Sequence, residues 1–223
     1  MQRFRRCPQS AREQLWEIHV FALLGAIRIA MLWFADAVEN LEGGPVFAVM
    51  RSVARAGVMW RTPILLGYVA LVLALYCHVL RGKRVAPLLL DVFGIGVIVS
   101  LLMNFVKINL LMLAEAVSPP LLLGQVITFL LFFVLAWGWL FWRLDRVAGD
   151  RDQQIVDMAD TTNDGGSFDY YYSSLMSLLE AKSSKFNGVS RLGKLLVAVH
   201  SLMVLDLAAI ALARFYQLVQ KSI

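Results

Sequence analysis

The residues best placed to do chemistry are six in a row, Glu180-Ala181-Lys182-Ser183-Ser184-Lys185. They lie between an aromatic-started run from Phe168 and a Ser190-Arg191-Leu192-Gly193-Lys194 entry into a long apolar segment. Charges in such a place have two readings. Rings of charged side chains at a constriction select ions, cationic rings favouring anions. Charges at the end of a surface helix are simply solvated. Asp206 is a second candidate, alone among apolar residues. An ionisable group at membrane depth is costly and faces a cavity or a partner. Arg28, His200 and Lys107 are the candidate partners. His200, six residues earlier, is off the face of Asp206 and reads as a hydrogen-bonded structural histidine rather than a proton sensor. Leu205, Ala208 and Leu212 follow a three-and-four spacing, which suits either a hydrophobic gate or ordinary helix packing.

The elements that must position these residues are apolar and long. The chain has 223 residues, 59% of them hydrophobic, and a mean hydropathy of +0.68. A soluble domain is roughly 45–50% apolar, and a membrane-crossing helix needs about 20 mostly apolar residues. Residues 121–142 carry no charge, and residues 195–213 carry only Asp206. Residues 64–80 are uncharged and end against Arg81, Lys83 and Arg84. Residues 86–114 hold only Asp91 and Lys107, and residues 16–37 form a weaker span with Glu17, Arg28 and Asp36. The net charge of +5 comes from basic residues that punctuate these segments. That pattern points to a membrane surface and away from nucleic acid.

Several functions are disfavoured. Cys7 and Cys77 lie in no metal or redox motif, and Cys77 reads as a buried apolar filler. No His, Cys and carboxylate cluster has metal spacing, and no Ser-His motif is recognisable. The expectation is no enzyme, no cofactor and no metal site. The basic start, MQRFRR, is like that of a signal peptide, but the apolar run after it is broken by Arg28 and lacks a small-residue cleavage site. It reads as retained.

Between the spans, residues 1–15 read as a short interfacial helix. Gly43-Gly44-Pro45 is a break. Residues 46–60 place Arg51 and Arg55 on one face, as in an amphipathic helix lying on the membrane. Residues 86–116 would measure roughly 46 Å as one helix, so a crossing to about Met103 is expected. A connector through Lys107 and Asn109 would then lead to Ser118-Pro119-Pro120. Residues 143–169 form the one long polar stretch, with seven Asp and three Arg. Trp137, Trp139 and Trp142 read as an interfacial belt. Asp91 has Lys83 or Arg84 as candidate partners.

Residues 121–219 resemble the outer helix, pore helix and inner helix of the potassium channel superfamily, and are most similar to the bacterial two-helix ion channels. The family run is Thr-Leu-Thr-Thr-Val-Gly-Tyr-Gly-Asp, a few residues, then Pro-Leu-Gly-Lys/Arg. Without a gap, Ser177-Leu178-Leu179-Glu180 fall on the Thr-Leu-Thr-Thr places. Ala181-Lys182-Ser183-Ser184-Lys185 fall on Val-Gly-Tyr-Gly-Asp, and Leu192-Gly193-Lys194 on Leu-Gly-Lys/Arg. Phe168 and Tyr170–Tyr172 suit the start of a pore helix. Gly124 and Trp137 suit the outer helix, and Ala213-Arg214-Phe215 the end of the inner one.

The resemblance implies an all-α integral membrane protein of five or six transmembrane helices. Residues 1–118 would carry amino-terminal helices and residues 119–223 an outer helix–pore helix–inner helix unit. It implies a homotetramer in a lipid bilayer, passing inorganic ions, in the bacterial inner membrane. It also shows what is missing. A potassium filter aims successive backbone carbonyls at one axis, in conformations that Gly reaches easily. Lys182 and Ser184 occupy both Gly places. Four copies of Lys182 and Lys185 would ring the mouth, with four Glu180 below and Asp206, Leu205, Ala208 and Leu212 along the cavity. The charges either select ions or pair and close the passage. Topology is in tension with this frame. Pore loops of this type dip in from outside, which leaves the carboxyl terminus inside and, with five spans, the amino terminus outside. Arg3, Arg5, Arg6 and Arg12 favour an inside amino terminus. A sixth crossing through residues 46–60 would restore that, yet leave Arg81-Gly82-Lys83-Arg84 outside.

Overall fold

In the computed structural model, the described residues are 11–33, 48, 52, 55, 59, 61–113, 119–149, 155–158, 167–179 and 186–222. The elements described over continuous stretches of these residues are, in order, α1 (Ala11–Trp33), α2 (Arg61–Leu80), α3 (Pro87–Leu113), α4 (Pro119–Gly149), β1 (Val156–Met158), α5 (Ser167–Leu179), β2 (Phe186–Gly188) and α6 (Arg191–Ser222). Among the described residues, four helices are long and apolar enough to cross a bilayer, over Glu13–Met31, Pro87–Leu111, Leu122–Val147 and Arg191–Ala209. α2 carries a shorter apolar run, Leu65–Leu80. The chain is a helical membrane protein.

Its outer surface agrees. On α3 the exposed side chains Leu88, Val92, Ile95, Val99, Leu102 and Val106 form one continuous stripe. They are spaced four and three residues apart, which is one helix face. Soluble proteins rarely expose so long an apolar strip; lipid chains accept it. The proposed interfacial helix at residues 1–15 falls mostly outside the described residues. Of residues 46–60, Ala48, Ser52, Arg55 and Met59 are described, each helical and exposed.

The chain divides into two compact units. One ends at residue 133, and the other begins at residue 134. In the first unit α1 packs on α2. The Tyr68 hydroxyl donates to the Phe21 carbonyl, and its ring lies over Gly25, where an added Cβ would fall 1.9 Å from the ring. Gln14 reaches past α2 to the turn before α3. Its amide nitrogen donates to the Val85 carbonyl at 3.2 Å, and its oxygen accepts from the Val85 amide at 3.1 Å. His19 meets Tyr76 edge-on, with centroids 4.9 Å apart.

Three expectations are corrected. α3 does not stop near Met103 but runs through Lys107 and Asn109. The Asn side chains permit this by bonding their own helix. Asn104 donates to the Ser100 carbonyl at 2.8 Å, and Asn109 to the Phe105 carbonyl at 3.0 Å. At 27 residues it is about 40 Å long, which a tilted crossing accommodates. Cys77 is free and exposed, not buried, because it falls on the outward face of α2. In the other unit, the helix does not end at residue 142 where the polar stretch begins: α4 continues to Gly149, and Arg143 and Asp145 are buried.

Gly25→Leu would force a side chain into the Tyr68 ring, and overpacking of this kind costs about 1–3 kcal/mol. Gly67 on α2 has open space at the Cβ position. The thermal unfolding midpoint of detergent-solubilised protein is expected to fall for Gly25→Leu and to hold or rise for Gly67→Ala.

Candidate functional site

The second unit is organised around the carboxylate of Asp145, at the end of α4. Its Oδ1 accepts from the amides of Ile155 at 2.8 Å and Val156 at 3.0 Å. Its Oδ2 accepts from the Tyr170 hydroxyl at 2.8 Å. A carboxylate near a helix carboxyl terminus opposes the helix dipole. Three donors to a buried charge offset that, because hydrogen bonds to ionised acceptors are among the stronger ones. One side chain thus joins α4 to β1 and to the first turn of α5. Burial, then the Asp145 charge, pushes the Tyr170 phenol above its ordinary pKa.

The ladder continues the linkage. β1 pairs antiparallel with β2, Val156 opposite Gly188, Asp157 opposite Asn187 and Met158 opposite Phe186. The Ile155 carbonyl accepts from the Val189 amide at 3.0 Å. The same carbonyl presses on the first turn of α6, where a Cβ on Gly193 would sit 2.0 Å from it. Only a residue without a side chain fits there. Ser190 caps α6, its hydroxyl accepting from the Gly193 amide at 2.9 Å, as expected of a Ser at this position.

Beneath the ladder lies an aromatic cluster. Phe186 of β2 is 4.3 Å, centroid to centroid, from Phe141 of α4, and Phe141 stacks on Trp137 at 5.4 Å. His200 of α6 meets Trp137, Phe141 and Phe186 near edge-on, at 5.1, 5.9 and 5.7 Å. It packs among these rings, and the hydrogen bond expected of a structural histidine is not found at either ring nitrogen among the described residues. Trp137, Trp139 and Trp142 are buried. They do not form an interfacial belt, because the second half of α4 is covered by its own unit.

α5 has an inverted pattern. Tyr170, Tyr171, Ser173, Ser174 and Ser177 are buried, while Phe168, Tyr172, Leu175 and Leu179 are exposed. The buried side is small enough for close approach. Tyr171 packs on Gly138, where an added Cβ would meet its ring at 2.4 Å. Ser177 returns its hydroxyl to the Ser173 carbonyl at 2.8 Å. Ser174 Oγ is buried without a hydrogen-bond partner among the described residues.

Glu180, Ala181, Lys182, Ser183, Ser184 and Lys185 lie outside the described residues. Their flanks are described, the run leaving from the end of α5 at Leu179 and entering β2 at Phe186. Leu205, Ala208 and Leu212 are exposed on α6, while Met203, Val204 and Leu207 on the other side are buried. Asp206 is half-buried, and its Oδ2 has no hydrogen-bond partner among the described residues. Among those residues no group of three or more His, Cys, Asp or Glu could hold a metal ion. Sequence reasoning missed Asp145, which it left inside the polar stretch. The available signals were Ile155-Val156, a β-branched pair in an acidic segment, and a helical pattern that runs on from Trp142.

No protein-family model matches this chain, and no curated protein and no solved structure matches it.

Asp145→Ala would leave two amides and a phenol without their acceptor. Each such loss costs about 1–3 kcal/mol, so a drop of about 3 kcal/mol or more in unfolding free energy is expected, with loss of protease protection across residues 155–190. A second expectation concerns pH. The folded state raises the Tyr170 pKa, so its contribution is complete below about pH 10, the unfolded value, and is lost as pH rises beyond it. Unfolding midpoints measured from pH 8 to 11.5 are expected to fall less steeply at the alkaline end in Tyr170→Phe than in the wild type.

Proposed function

We propose that residues 119–223 are the pore module of a channel-like membrane protein, a homotetramer of potassium channel fold in the bacterial inner membrane. The passage lacks a carbonyl filter and is therefore not potassium selective. α4 is the outer helix, α5 the pore helix and α6 the inner helix. With α2 as a further crossing, the spans number five.

The observation that carries this reading is the inverted face of α5. A helix lying on a water-facing surface points its polar side outward. α5 buries Ser and Tyr against its own unit and turns Phe168, Leu175 and Leu179 outward. That polarity suits a half-helix set among lipid chains or neighbouring subunits. Gly138, which receives Tyr171, is seven residues inward from Asp145, or about 10 Å along α4. The return path is long enough. From Leu179 to Phe186 the chain reaches up to roughly 25 Å, more than the approximately 20 Å length of α5. On this reading Glu180, Lys182 and Lys185 line the narrowest part, and Asp206 with Leu205, Ala208 and Leu212 faces the cavity.

A second reading is a non-conducting scaffold, or a subunit of a larger membrane complex, built on the same module. Lys182 and Ser184 at both Gly places favour it. Phe186, which follows directly, is held in the aromatic cluster, so the segment has an anchor that does not depend on bound ions.

Purified protein in a planar bilayer separates the two. A conducting pore is expected to pass current without preference for potassium over sodium, and Lys182→Glu is expected to shift its reversal potential toward cation permeation. Intact tetramers that carry no current under any voltage or salt gradient would overturn the channel and leave the scaffold.

A further inference from the structure

The turn between α2 and α3 is held at both ends and charged in the middle. At the end of α2 the Gly82 amide donates to the Val79 carbonyl at 2.9 Å, and the Lys83 amide to the His78 carbonyl at 3.1 Å. Gly82 sits at φ +72°, the left-handed conformation that closes a helix in this way. Three residues on, Val85 is buried and is gripped through both backbone groups by Gln14, itself buried. Between these anchors Arg81, Lys83 and Arg84 are exposed.

The nearest carboxylate in the sequence is Asp91, seven residues beyond Arg84. From residue 43 to residue 90 there is no Asp or Glu, while Arg51, Arg55, Arg61, Arg81, Lys83 and Arg84 are all basic. The apolar surface runs up to the turn on both sides, with Leu80 and Leu88 exposed. The three cations therefore sit where apolar helix surface gives out, at the level of a bilayer's headgroups.

We propose that Arg81, Lys83 and Arg84 form a docking surface for anionic phospholipid headgroups. Charge complementarity selects the occupant, because a phosphate with a net negative headgroup matches three cations and a zwitterionic one does not. Arg grips phosphate oxygens through its planar fork, and Lys adds a point charge. The fixed backbone lowers the ordering cost of gathering the three side chains on one lipid. Basic residues beside an anionic membrane strengthen association by about fivefold each, so the set supplies a large preference. The inference does not depend on the channel reading, since it concerns a different unit and needs no conduction.

The test uses the full-length protein in detergent micelles, titrated with phosphatidylglycerol or phosphatidylcholine, with retained lipid counted by native mass spectrometry. The wild type is expected to retain phosphatidylglycerol at least tenfold more strongly. The triple variant Arg81→Gln, Lys83→Gln, Arg84→Gln is expected to lose that preference while keeping its unfolding midpoint. Gln14→Leu keeps every charge but frees the turn, and is expected to weaken retention several-fold. Gly82→Ala strains the same turn and serves if Gln14→Leu fails to fold. Equal retention of the two lipids by the wild type, or a full preference in the triple variant, would overturn the proposal. Full preference with the turn freed would overturn its prearranged geometry.

Discussion

Everything in the carboxyl-terminal unit hangs on one buried carboxylate. Asp145 stands where a helix end would rather have a cation, and it holds two amides and a phenol. Without those bonds the amides at the start of β1, the strand that pairs with β2, would lose their acceptor. α5 would lose the anchor of its first turn. The ladder then carries the constraint to α6 through the Ile155 carbonyl, which only Gly193 can admit. A polar knot thus closes one end of a unit whose remaining surface is largely apolar.

This knot has a consequence for the segment 180–185. Its two ends are set by different physics. Leu179 ends a helix packed through Ser and Tyr on α4, and Phe186 begins a strand seated on Phe141 and His200. Both flanks are thus fixed by contacts within the protein.

Much of the architecture was legible in the sequence. Residues 121–142 and 195–213 are unbroken apolar runs, and a helix is what such a run must form in a bilayer, where every backbone group needs an internal partner. The short aromatic-started run from Phe168 and the entry into α6 at Ser190 were also readable from local chemistry. Asp145 was not, because its partners lie 10, 11 and 25 residues away, beyond any helical or strand period. Strands of three residues are too short to show an alternation. The end of α3 was misplaced because Lys107 and Asn109 look like a boundary, whereas the Asn amide is satisfied within its own turn. The burial of the tryptophans was hidden for a similar reason, since an aromatic cluster packed in protein and one at a lipid interface have the same composition.

The central claim is that the α4–α5–α6 unit assembles around a fourfold axis. Direct imaging of purified particles in lipid nanodiscs, viewed down the membrane normal, tests it most simply. The account predicts four copies, with α5 of each leaning toward the axis and residues 180–185 at the narrowest point. A monomer, or an assembly of any other symmetry, would contradict it.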